Sequence, residues 1–155
     1  MLDFVAPLLG ALIGAGAALG AQTLSNRSSK EFAKRKERVD LVVHLWSACD
    51  RLWRATCSLD YTVYELMASE RAGHRDQLAD LGSRRLSDIA ERDRAGTDAA
   101  LLTAQLRFLH PSLAPAAETL RIASTRHKVE EHGKYEADRQ AALEAFEVAT
   151  RMLLL

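Results

Sequence analysis

Polar residues recur at three- and four-residue steps between Arg38 and Ser69: Asp40, His44, Ser47, Arg51, Arg54, Ser58, Thr62, Glu65 and Ser69. That spacing is one stripe of an unbroken helix. Opposite it run Leu41, Leu45, Ala48, Leu52, Ala55, Leu59, Val63 and Leu66, with Val42, Trp46, Cys49, Trp53 and Met67 in a neighbouring row. An apolar face this wide exceeds a two-stranded coiled-coil seam. It predicts a helix packed against at least two others.

Arg71-Ala-Gly73-His74 reads as a turn. A second long helix is expected from Arg75 to His110, marked weakly by Leu78, Leu81, Leu86 and Ile89, then by Ala99, Leu102, Leu106 and Leu109. Gly96 suggests a kink, with Thr97 or Asp98 capping the resumed helix. Pro111 ends that helix. Ser112 is the expected N-cap of a shorter third helix carrying Leu113, Ala116, Ala117 and Leu120. Gly133 is expected to separate it from a fourth, with Tyr135, Ala142, Phe146, Ala149 and Leu153 as apolar positions. No strand alternation appears. The fold class is therefore all-α: a long-helix up-down bundle of about four helices, its core closed by Met152-Leu-Leu-Leu155.

The first 26 residues have a different character. From Phe4 to Asn26 there is no charged side chain, and Phe4–Ala21 is wholly apolar or small. At ~1.5 Å per residue that stretch covers about 27 Å, close to the hydrocarbon thickness of a bilayer. Its seven strongly apolar residues contribute only about −2 to −4 kcal/mol to insertion. A span this marginal gains from partners. Gly10 and Gly14, Gly16 and Gly20, and Ala17 and Ala21 are each four apart, a spacing that lets two helix backbones approach closely. The same glycines resemble a dinucleotide fingerprint, but no strand precedes them and no acidic residue follows at the right distance. Arg27, Lys30, Lys34, Arg35, Lys36 and Arg38 follow the span, against Glu31 and Glu37. Such a flank orients the C-terminal side toward the cytoplasm. The absence of a basic stretch before the apolar run favours an anchor over a cleaved signal. The expected organisation is a transmembrane anchor at 1–26 continuing into the first bundle helix, a basic juxtamembrane segment at 27–38 and a cytoplasmic helical bundle at 39–155.

Composition narrows the function classes. Among 155 residues, 21 basic side chains balance 21 acidic ones, which argues against nucleic acid as a partner. Two cysteines are too few for a disulfide scaffold. Cys49 and Cys57 lie about 12 Å apart along one helix and cannot bridge within it; buried thiols are expected. His127, Glu130, Glu131 and His132 are the densest group of potential metal ligands, with His127 and Glu131 placed to share a helix face. No Glu-x-x-His pair or His-Glu-x-x-His run accompanies them, so no metal or other cofactor is expected. Trp46 and Trp53, seven apart, are read as aromatic core or partner surface. The charges from Arg84 to Arg94 read as a solvated face. No spacing supports a catalytic arrangement, and the chain is not expected to be an enzyme.

The pattern Pro7-Leu-Leu-Gly10-Ala-Leu-Ile-Gly14 with its small-residue run and basic helix resembles a diffuse group of uncharacterised single-pass helical membrane proteins of high-GC bacteria. The stretch around Leu45-Trp46 to Trp53 and the Leu106-to-Glu118 segment are similar to that group too. The resemblance implies an anchored cytoplasmic helical domain and carries no activity. The functional expectation is a self-associating, membrane-anchored interaction domain, a homo-oligomer partnered by the lipid bilayer and by an unidentified protein. Two alternatives belong to other classes. One is a phage-type envelope-spanning lysis accessory protein with an exported helical domain. The other is a ligand-binding helical bundle, supported by Trp46, Trp53 and the His127–His132 group.

Overall fold

The computed structural model describes the backbone of residues 5–154 and the side chains of residues 28–152. Helix α1 covers Val5–Ala72, α2 Arg75–Leu109, α3 Ala114–Ala123 and α4 His132–Leu154. Short 3-10 turns at Pro111–Leu113 and Val129–Glu131 lead into α3 and α4. No strand occurs among the described residues, and the architecture is the all-α, four-helix bundle that the apolar periodicity predicts.

The chain divides into two units, Met1–Val39 and Asp40–Leu155. In the first, the side chains of Lys30, Lys34, Arg35, Lys36 and Phe32 are exposed. Among the described residues no helix is long and apolar enough to cross a membrane. The run Phe4–Ala21 and the small residues Gly10, Gly14, Gly16, Ala17, Gly20 and Ala21 lie outside the described side chains, as does Arg27.

The second unit holds the core. Leu41, Leu45, Ala48, Cys49 and Leu52 of α1 meet Ala95, Ala99 and Leu106 of α2, Leu113, Ala117 and Leu120 around α3, and Ala142 and Phe146 of α4. Small residues on α2 let it lie close to α1: a Cβ at Gly96 would stand 3.7 Å from Leu52 Cδ1. The partners along α1 and α2 run in opposite directions, Arg51 with Asp98, Thr62 with Asp88 and Ser69 with Gln77. The two helices are therefore antiparallel. Helix α4 also runs against α1, since Arg139 meets Asp50 while His132 lies beside Cys57.

The turn at Gly73 ends α1 as expected. Gly73 has φ +77°, its N–H donates to Glu70 O, and the His74 N–H donates to Ser69 O. This is the Schellman arrangement, which a residue without Cβ closes at least cost.

Several expectations are corrected. Helix α2 runs through Gly96 without interruption. Thr97 donates its hydroxyl back to Asp93 O as a helix-interior threonine, and Asp98 pairs with Arg51, so neither caps a resumed helix. Ser112 lies inside the 3-10 turn that Pro111 opens, and Leu113 holds the N-cap position of α3 without a side-chain cap. Gly133 is the second residue of α4 and not a separator. The break falls at residues 124–128, where the Ser124 N–H closes the last turn of α3 on Leu120 O. Met152 is 78% exposed and does not close the core; the three leucines after it lie outside the described side chains. The polar stripe of α1 is also not uniformly solvated. Thr62 is wholly buried, and it and Ser58 both donate to Asp88 across the α1–α2 seam. Asp88 thus leaves the solvated face assigned to residues 84–94, because α1 offers it two hydroxyl donors there.

Candidate functional site

Trp53, Cys57, Asp60 and Tyr61 stand at i, i+4, i+7 and i+8 on α1, which places them on one helix face. Two histidines come to that face from the α3–α4 connection. His127 lies in the irregular stretch after α3, and His132 is the first residue of α4. The 3-10 turn Val129–Glu131 lies between them, and both rings reach the same face.

The His127 imidazole is fully buried, and its Nδ1 lies 3.1 Å from Asp60 Oδ2. Its Nε2 lies 2.7 Å from Nδ1 of His132. The second nitrogen of His132, Nε2, is 3.7 Å from Glu136 Oε2, one turn along α4. The two rings therefore face each other, with a carboxylate behind each. Cys57 completes the group: its Sγ and one nitrogen from each histidine all lie within 4.8 Å of one another.

Aromatic rings wall the cluster. Trp53 sits edge-on to His127, with centroids 5.4 Å apart, and stacks on His132 at 6.3 Å. Tyr61 leans on His127 at 5.7 Å. Trp53 is held from behind by the Arg139 guanidinium, 5.5 Å from its ring centroid. Arg139 in turn donates to Asp50 at 2.7 Å, and Asp50 also pairs with Arg54.

Burial, and then the negative charge of Asp60, pushes the Cys57 thiol up to about 11. A thiol poised as a nucleophile is shifted the other way. The geometry agrees, because His127 turns its Nε2 to His132 and its Nδ1 to Asp60. Cys57, His127 and Asp60 therefore lack the thiol–imidazole hydrogen bond of a nucleophile–base pair. Metal ligation is a different matter. A cysteine sulfur and two imidazole nitrogens on three separate chain segments form a nitrogen–sulfur donor set suited to a borderline transition metal.

The sequence-derived candidates are distributed unevenly around this centre. Trp53 is buried against it, whereas Trp46 is 46% exposed. The heptad spacing puts both near one side of α1, and Trp53 is the one that meets the rings of His127 and His132 and the Arg139 guanidinium. Glu131 does not share a face with His127: it pairs with Lys134 at 3.1 Å, because the residues between 124 and 131 are not α-helical. Cys49 is buried in the core, apart from the histidines. His44 lines an open groove with Arg51 and Asp98 between α1 and α2. Lys30, Lys34, Lys36 and Arg38 lie far along the sequence from the cluster, in the first unit.

The histidine pair is visible in the sequence, but Cys57 and Asp60 stand beside it in space while Glu131 pairs with Lys134. Cys57 and Asp60, a C-x-x-D step on a helix, carry no signal until the fold places His127 opposite them. No family model, curated protein or solved structure matches the chain.

Proposed function

We propose that this protein is a membrane-anchored helical domain that acts through protein contact and not through catalysis. The observation that carries the reading is the uncharged run from Phe4 to Asn26, followed at once by six basic residues and only two acidic ones up to Arg38. An uncharged helix of that length is matched to a bilayer, and the flank retains the following domain on the cytoplasmic face. Exposure of Lys30, Lys34 and Lys36 supports it, since exposed basic side chains suit a surface of lipid headgroups. The four-apart glycines and alanines of the anchor support self-association. A thiol raised by burial and a His127 ring held between Asp60 and His132 support a domain that binds and does not turn over substrate.

The test is protease protection of a C-terminal tag in spheroplasts, with the mass of the product read on the same blot. The reading expects a protected, full-length chain, and crosslinking then yields the homo-oligomer. Digestion of a full-length chain would put the bundle outside and favour the envelope-spanning alternative. A product shorter by about 2 kDa would mean a cleaved signal and an exported bundle.

A further inference from the structure

We propose that Cys57, His127 and His132 bind a single Zn²⁺-type divalent transition-metal ion, with the fourth position left to solvent. The inference is independent of the membrane reading, because every residue it uses lies in the Asp40–Leu155 unit.

The donor set selects the ion. One sulfur and two imidazole nitrogens suit Zn²⁺ and its neighbours, whereas Mg²⁺ and Ca²⁺ require oxygen cages. The distances are those of a site close to assembly. Around a tetrahedral Zn²⁺ the donors stand roughly 3.3–3.6 Å apart, given bond lengths of about 2.0–2.3 Å. Here Nε2 of His127 and Nδ1 of His132 are 2.7 Å apart, and the three donors fit within 4.8 Å. Small rotations that part the two imidazoles and draw in the sulfur complete the geometry.

One outer partner is already in position, and a second stands one turn along α4. A metal-bound histidine ordinarily gives its other N–H to a carboxylate, which fixes its tautomer and raises its basicity. Asp60 does this for Nδ1 of His127 at 3.1 Å. Glu136 faces Nε2 of His132 at 3.7 Å. For the 2.7 Å contact between the two imidazoles to be a hydrogen bond, one of the two facing nitrogens carries an N–H. On binding, His132 carries its proton on Nε2, toward Glu136, and Nδ1 turns its lone pair to the ion. Cys57 releases its thiol proton to solvent and binds as thiolate. No oxidation or reduction is involved.

Charge points the same way. Two carboxylates and a thiolate around two neutral imidazoles form an environment for a dication. Access is open on one side, since the His132 side chain is 41% exposed while that of His127 is fully enclosed. The ion would tie α1 to the start of α4 and would stabilise the bundle by mass action.

The experiment is a Co²⁺ titration of the tag-free full-length chain in detergent, followed by absorption and then by displacement with Zn²⁺. The expected result is one equivalent of Co²⁺ giving a thiolate charge-transfer band and the intense visible bands of a four-coordinate ion, both removed by Zn²⁺. Cys57→Ser should lose the charge-transfer band with its circular dichroism unchanged, and Cys49→Ala should retain it. His132→Ala, at a partly exposed helix start, should weaken Co²⁺ at least tenfold. Asp60→Asn should weaken it by about 10–100-fold. A wild-type spectrum without the charge-transfer band would overturn the proposal. So would a band that survives Cys57→Ser, a band that disappears in Cys49→Ala, or an affinity unchanged in His132→Ala.

Discussion

Thr62 Oγ1 donates to Asp88 Oδ2 at 2.6 Å from a position with no solvent exposure, and Ser58 donates to the other carboxylate oxygen at 3.1 Å. The α1–α2 seam is thus joined by a carboxylate held between two hydroxyls in addition to apolar contacts. Thr62→Val keeps the side-chain shape and removes one donor. It should cost about 1–3 kcal/mol, because the Asp88 oxygen is left without that partner at the seam. Urea denaturation of the two proteins side by side would show it. An unchanged midpoint would mean that water replaces the hydroxyl.

Arg139 is bound on two sides, to Asp50 at 2.7 Å and over the Trp53 ring at 5.5 Å. Its side chain is 15% exposed and that of Asp50 is 22% exposed, so the pair is shielded more than a surface ion pair. A double-mutant cycle with Asp50→Ala and Arg139→Ala should return a coupling of about 1–2 kcal/mol. Arg139→Lys should recover less than half of it, since an ammonium cannot lie flat on an indole while donating to a carboxylate. Trp53 fluorescence should change in both Arg139 variants.

Two glycines should respond with opposite signs to alanine. Gly73 adopts φ +77°, where a Cβ is strained whatever the space around it. Gly73→Ala should destabilise the protein by about 1 kcal/mol. Gly82 lies inside α2, and a Cβ there meets nothing within 4 Å. Gly82→Ala should stabilise by about 0.5–1 kcal/mol, through the helix propensity and the reduced freedom of the unfolded chain. Thermal melts of the pair would separate the two effects.

Cys49 is 1% exposed, and burial pushes its thiol up from an ordinary value near 9 to about 11. The unfolded chain loses this proton first as pH rises. Between pH 9 and 11 it therefore binds fewer protons than the folded one, and stability falls with pH. The contribution, about 2–3 kcal/mol, is fully present below the lower value and is lost through the upper one. Cys49→Ala should lower stability modestly at neutral pH and should flatten the alkaline decline by about 1.4 kcal/mol per pH unit. Parallel declines in the two proteins would contradict this origin.

Periodicity along the chain was enough to define the bundle. Leu41, Leu45, Ala48 and Leu52 recur at helical spacing and are buried as that spacing requires. The turn at Gly73 was equally legible, because only a residue without Cβ closes that cap cheaply. Other local signals were misleading. Gly96 reads as a break, yet α2 continues through it because packing against Leu52 supports the backbone where propensity does not. Ser112 and Gly133 offered cap and breaker chemistry, and neither is used in that way, since Pro111 and the 3-10 turn at Val129–Glu131 determine where the helices begin.

The sequence by itself determined the helical class, the long-helix layout and the chemical contrast between an uncharged N-terminal run and a charge-balanced remainder. Those properties are local, and each is written into neighbouring residues at steps of three and four. Only the tertiary structure decided that Cys57 and Asp60 face His127 and His132, that Trp53 belongs to that cluster while Trp46 is exposed, and that Asp88 turns inward. Cys57 and His127 are seventy residues apart in the chain. Their meeting depends on how α4 returns along α1 after an irregular connection, and no spacing within either segment encodes it.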